Sequence, residues 1–299
     1  MLSALLFLTC LGAHAVENDS TGTFNETAPT SSNIPNWESG WTQPTTQPTG
    51  YTYTTGWNYV GSVPNSGGAS ATYLGNGWVI TCAHVGAATF TLNGTAYPAV
   101  PNSAQGFTAT TVLSTMLGGS GTVTEPVDIT LFQISPSPAL PALPLRTTDP
   151  TGTSTFAMIG YGDGGSHAKE TWGYDTVTSP YINQGVQLYG WASYDFCTVN
   201  GSKALYETAD GDSGGADFIY NSSLKRWELA GLNEIELTNG ANPPVEEGSG
   251  YVQLDTYFTQ IEQIITPPLS EPTMPQWALV LMGGMLFCVA VPAVLLERR

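Results

Sequence analysis

Between residues 56 and 265 the chain never holds a helical period for long; short β-rich runs alternate with turns. The runs fall at 59–63, 71–74, 78–81, 89–92, 95–97, 129–134, 155–159, 187–192 and 227–232. Asn93-Gly94 sits between two of them, the pair that best tolerates positive φ at both centres of a type I′ hairpin turn. The 34 glycines and 21 prolines supply the remaining turns. The spacing predicts an all-β domain over 56–265, a barrel or sandwich, with a short helix at its end over 257–265.

The flanks read differently. Residues 1–15 are an apolar run ending in Ala13-His14-Ala15, the small-x-small pattern of a signal peptide, although no basic residue precedes the run. Residues 16–55 are rich in Thr, Ser, Pro, Gly and Asn, and Thr42-Gln43-Pro44-Thr45 is repeated directly as Thr46-Gln47-Pro48-Thr49. Such composition buries too little apolar area to offset chain entropy and predicts a flexible segment. Residues 266–274 form a Pro-rich linker, and 275–299 contain an uncharged stretch from Trp277 to Leu296 followed by Glu297-Arg298-Arg299. That length suits one membrane-crossing helix with the terminal arginines on the cytoplasmic side. A proline-rich lead, an apolar helix and a basic end resemble bacterial C-terminal sorting signals of the PEP-CTERM kind, though the Pro-Glu-Pro form is absent. The expected location is outside the cell, anchored by this segment, and a sorting enzyme acting on the tail is an expected partner.

Charge narrows the partners. There are 24 acidic residues against 7 Lys and Arg, a net charge of −17, and no Lys or Arg precedes Arg146. A nucleic acid is excluded as a partner, because almost nothing here would neutralise phosphates. Of the four cysteines, only Cys82 and Cys197 fall in the β-rich region. No disulfide framework is available, and the core must carry stability.

The chemistry concentrates in three places. Gly211-Asp212-Ser213-Gly214-Gly215 surrounds a serine with glycines that let the backbone turn sharply and approach a substrate closely. A serine hydroxyl needs a base to become a nucleophile. Outside the leader only His84 and His167 could serve; His84 ends the apolar strand 78–81, whereas His167 lies in a polar glycine-rich loop. A carboxylate must then orient the imidazole. Between His84 and Ser213 only Asp128 opens an apolar strand, and an aspartate there is costly to bury without a partner. The amides of Gly211 and Ser213 can point at one developing oxyanion. No cofactor or metal is called for.

Thr81-Cys82-Ala83-His84, Asp128-Ile129-Thr130-Leu131 and Gly211-Asp212-Ser213-Gly214-Gly215, in that order, resemble the chymotrypsin/trypsin family of serine proteases. Gly160-Tyr161-Gly162 resembles the Gly-aromatic-Gly found early in the family's second barrel. The resemblance covers 56–265. It implies two six-stranded antiparallel β-barrels with His84 and Asp128 on the first, Ser213 on the second, and peptide-bond hydrolysis in the cleft between them. It also places Glu207, Glu234 and Glu236 around the primary specificity pocket, which would favour a substrate Lys or Arg.

Two departures matter. In the family a cleaved hydrophobic N-terminus often pairs with the aspartate before the nucleophile, here Asp212. Tyr59-Val60-Gly61-Ser62 only loosely matches that sequence and no basic residue precedes it, so tryptic activation is not expected and Asp212 needs another partner. Cys82 stands two residues before His84, where the family has a small apolar residue, and reads as a buried free thiol. Two further function classes compete with an active endopeptidase: a catalytically silent protease fold used for binding, and a surface adhesin carried on the Thr-rich stalk.

Overall fold

The computed structural model describes residues 16–18, 23–27, 56–64, 68–162, 169–199, 206, 208–224, 226–238 and 246–266. The expected signal peptide 1–15 and membrane segment 275–299 lie outside these residues, as do His167 and Glu207. Among the described residues no helix is long and apolar enough to cross a membrane.

The fold is mostly β. A short antiparallel ribbon, β1 (Glu17–Asn18) with β2 (Thr23–Phe24), comes first, and two larger antiparallel sheets follow. The first of these has six strands: β3 (Val60–Val63), β4 (Ala69–Gly75), β5 (Trp78–Thr81), β6 (Phe90–Leu92), β7 (Thr95–Tyr97) and β10 (Thr130–Gln133), in the order β10-β5-β4-β3-β6-β7. Asn93 and Gly94 turn β6 into β7 at φ 48° and 75°, as the type I′ preference requires. Beyond β7 the chain returns along the outer edge of β10. Val100 N–H donates to Gln133 O at 2.8 Å, and Gln105 and Leu131 exchange bonds of 2.7 and 2.8 Å. The two edges of the sheet are thereby joined, so no long strand edge is left open. Every residue of β4 and β5 is buried, as expected of strands covered on both faces.

The second large sheet has seven strands: β11 (Thr155–Gly160), β12 (Thr171–Thr176), β13 (Gln184–Leu188), β14 (Trp191–Val199), β15 (Ala216–Asn221), β16 (Arg226–Thr238) and β17 (Glu246–Gln253). Their order is β12-β11-β15-β16-β17-β14-β13. The expectation of six strands in each half therefore holds for the first sheet and fails for the second. The run at 187–192, which reads as one strand, is instead a hairpin turn. Tyr189 and Gly190 take φ 48° and 99° there, and β13 folds back on β14. A separate hairpin, β8 (Thr108–Val112) with β9 (Thr122–Pro126), packs against β14. The domain closes on a 3₁₀ turn, Leu254–Tyr257, and α1 (Phe258–Ile265), which buries Ile261.

One apolar cluster draws on both sheets, including Tyr73, Ile80, Phe132, Phe218 and Leu232. A second lies on the other face of the seven-stranded sheet, where Phe156, Phe196 and Tyr251 meet with ring centroids 4.9–5.3 Å apart. Val16 belongs to this second cluster and is fully buried. Asn25 bridges Trp172 on β12, and the Trp172 indole N–H donates to Thr27 O at 2.6 Å. Part of the polar segment 16–55 thus packs on the sheet, which composition does not foretell.

Candidate active site

His84 stands just past the end of β5, and Asp128 just before β10. The two strands are neighbours, with Thr81 facing Thr130, so the pairing itself delivers imidazole to carboxylate. Asp128 is fully buried. Its Oδ1 accepts the His84 backbone N–H at 2.9 Å and its Oδ2 lies 2.6 Å from His84 Nδ1. Two contacts to one residue fix the ring plane. A carboxylate against Nδ1 selects the tautomer with the proton there, leaving Nε2 as the free acceptor. The His84 side chain is 22% exposed, and the Trp191 ring stands 6.3 Å away at the start of β14.

Ser213 lies on the loop before β15, and this loop is bound to the first sheet through Ser70 on β4. Ser70 N–H donates to Ser213 O at 3.0 Å, Ser70 Oγ–H donates to Gly211 O at 3.2 Å, and Ser70 O accepts Thr81 Oγ1–H at 2.8 Å. Asn233 on β16 makes the second tie. Its carbonyl accepts Gly214 N–H at 2.9 Å and the Cys82 thiol at 3.1 Å, and its own N–H donates to Gly215 O at 3.0 Å. Gly214 sits at φ 82°, and a Cβ there would lie 2.0 Å from Thr81 Oγ1 and 3.1 Å from Cys82 N. A glycine is therefore required for the serine loop to lie flat on the strand that leads to His84. Neither Ser70 nor Asn233 carries a signal in the sequence that marks it for this task.

Gly211 has φ 90°. Among the described residues neither the Gly211 nor the Ser213 N–H donates a hydrogen bond, so both donors remain for a ligand.

Asp212 is fully buried and finds the partners that the sequence does not reveal. Its Oδ1 accepts Gly162 N–H at 3.1 Å and its Oδ2 accepts Ala209 N–H at 3.0 Å. A Cβ on Gly160 would lie 2.0 Å from Asp212 Oδ1. Gly160-Tyr161-Gly162 thus makes the slot that holds this carboxylate, and Tyr161 N–H ties the slot to Ser70 Oγ at 2.9 Å.

Cys82, His84 and Asp128 each bring one ligand atom within 4.8 Å of the others, a spacing that a metal ion could use. The Cys82 thiol, His84 Nδ1 and Asp128 Oδ2 are already committed to hydrogen bonds. Burial, with the nearby Asp128 and Glu234, pushes the Cys82 thiol well above its usual range and keeps it protonated, a poor ligand. Cys82 and Cys197 are both buried free thiols.

The residues expected around the specificity pocket separate. Glu234 is 6% exposed, and its Oε1 accepts Ser193 Oγ–H at 2.7 Å inside the protein. Glu236 is half-buried further along β16. Glu207 is outside the described residues.

Among curated proteins no sequence matches the chain. Of solved structures, the inactive form of a mutant of Rv3671c from M. tuberculosis H37Rv is 15% identical with a TM-score of 0.47, covering 77% of this chain and 100% of that one. The inactive form of the Rv3671c protease is likewise 15% identical, with a TM-score of 0.46, covering 70% of this chain and 90% of that one. The trypsin family model matches residues 37–257, well over half of the chain, and the chain belongs to the trypsin family of serine proteases.

Proposed function

We propose that this protein is an active serine endopeptidase in which Ser213 is the nucleophile, His84 the general base and Asp128 the carboxylate that orients it. The observation that carries the reading is the double contact between Asp128 and His84, which frees Nε2 for the serine proton. Ser213 Oγ attacks the scissile carbonyl carbon and its proton passes to His84 Nε2. The oxyanion is met by the Gly211 and Ser213 N–H groups. Collapse breaks the C–N bond as His84 returns the proton to the leaving amine, and water hydrolyses the acyl-enzyme by the same steps reversed. The amides that hold Asp212 support activity without proteolytic activation. Protein or peptide chains are the substrates.

Fluorophosphonate labelling of the full chain tests this. One adduct on Ser213 is expected by peptide mapping, and none in Ser213→Ala or His84→Ala. A folded wild-type chain that takes no label would show that the fold has been kept for binding instead.

In this proposal the enzyme works outside the cell, directed there by residues 1–15 and held by 275–299. We assign it a preference for Lys or Arg before the cut, supported by Glu236 on β16 and by the sequence position of Glu207. Glu234, buried against Ser193, has no part in this preference. A peptide library should show enrichment of Lys or Arg at that one position; an even distribution would mean that no acidic pocket selects the substrate.

A further inference from the structure

Behind Asp128 lies a pair of carboxyl groups that the triad does not use. Asp195 on β14 and Glu234 on β16 are both buried and face each other across β17. The strand between them leaves room for Asp195: a Cβ on Gly250 would lie 2.8 Å from Ile235 Cγ1 and 3.0 Å from Asp195 Oδ2. Ser193 donates to Glu234 Oε1, but Glu234 Oε2 and both oxygens of Asp195 have no hydrogen-bond donor among the described residues. Two adjoining acids in such a place cannot both ionise, and a proton held between them supplies the missing donor. The titratable groups that face the pair are Asp128, Asp217, Cys82, Cys197 and Tyr257. None of these brings a positive charge.

We propose that Asp195 and Glu234 are positioning residues for the His84–Asp128 couple, a buried pair whose single negative charge stabilises the imidazolium formed during peptide hydrolysis. The inference rests on the proposed peptidase activity. Burial, opposed in part by the hydrogen bond to Glu234, raises Asp195 to about 7, and burial with Asp195 and Asp128 raises Glu234 well above the usual carboxylate range. The first proton of the pair therefore leaves near neutrality, and it leaves from the pair rather than from either residue alone. Asp128 acts on both groups, so a charge gained there is felt at Asp128 and its imidazole partner.

The test is the pH profile of kcat/KM for the full chain and for Asp195→Asn/Glu234→Gln, which keeps size and shape and removes the charge. The variant should match the wild type at pH 6, where the pair is neutral. It should fall about tenfold below it at pH 8.5, the size of one charge acting through a protein interior. A ratio constant across pH would overturn the role, because a merely structural effect does not follow a titration. Glu234→Gln alone, which keeps the acceptor for Ser193, is the second variant. Its neutral-pH step should move to higher pH, since the Glu234 proton that steadies ionised Asp195 is gone, and an unmoved step counts against the pair. The carboxylic C=O stretch in infrared difference spectra, compared with either variant, reads the pair without catalysis. An inactive wild type in which that band still titrates would sink the peptidase reading and the positioning role with it. An active wild type with a flat ratio would sink the pair alone.

Discussion

Asp128→Asn should fold as the wild type does and hydrolyse peptide bonds about 10⁴-fold more slowly at neutral pH. The size comes from the tautomer. Asp128 offers two acceptors, one to the His84 backbone N–H and one to Nδ1. An asparagine in the same place offers one acceptor and one NH₂ group. The fixed backbone N–H takes the oxygen, so the NH₂ faces Nδ1. Nδ1 must then accept, the ring proton moves to Nε2, and the nitrogen that should take the serine proton no longer can. The protein around it changes little, since the variant is isosteric and leaves no donor of His84 unmet. Steady-state kcat with a peptide amide substrate, alongside a thermal melt, separates the two effects. A loss below about tenfold with the fold intact would remove Asp128 from the triad.

The carboxylate, the base and the serine are legible in the sequence because each sits in a local pattern that the fold uses directly. Asp128 opens an apolar strand, His84 closes one, and those strands pair. What holds the three together is not legible. Ser70 and Asn233 act in large part through main-chain atoms, Ser70 through its hydroxyl as well, across long sequence separations, with Cys82 bound to Asn233 from 151 residues away. A backbone carbonyl looks the same in every residue type, so no composition or spacing announces such a contact. Asp212 is the intermediate case. Its need for a partner follows from its place beside the nucleophile, and Gly160 and Gly162 are visible as a motif. Their joint role appears only when a Cβ on Gly160 is seen to strike the carboxylate.

Three of the strands that local pattern fails to predict share a cause. β12, β14 and β17 carry Asp, Ser and Gly in their interiors, residues that favour turns in short peptides. Here the glycines are hollows for large or charged neighbours. Gly173 lies under Tyr206 and Gly250 beside Asp195, so tertiary packing overrides local preference. The same effect moves Glu234 from an expected pocket wall to the interior, where β16 runs longer than its apolar stretch and turns the side chain toward Ser193.

The buried acids also set how stability follows pH. Burial raises Glu170 to about 9, Asp195 to about 7 and Asp255 to about 7, and carries Asp217 and Glu234 well above the carboxylate range. For Asp217 both oxygens lack a donor among the described residues, so its neutral form is the one the core accepts. In each case the folded protein holds a proton that the unfolded chain releases near pH 4. The stabilising contribution is therefore complete below about pH 4 and is lost progressively above it, the loss ending near 7 for Asp195 and Asp255 and near 9 for Glu170. The net charge of −17 adds self-repulsion in the same direction. A carboxyl that keeps its proton to one pH unit higher in the folded protein than in the unfolded chain accounts for about 1.4 kcal/mol. Asp255 is partly solvated and accounts for less, because water screens it. Glu170 alone accounts for roughly 5 kcal/mol between pH 5 and 9, which corresponds to a fall in Tm of about 10–20 °C for a domain of this size. Calorimetry on Ser213→Ala, which removes self-digestion, should show this decline. Glu170→Gln should make the decline shallower across the whole range from pH 5 to 9, because no carboxyl then ionises in that buried place, where the Tyr161 hydroxyl donates at 3.4 Å. A Tm that holds or rises toward pH 9 would mean that these carboxyls are ionised and paired in the folded protein after all.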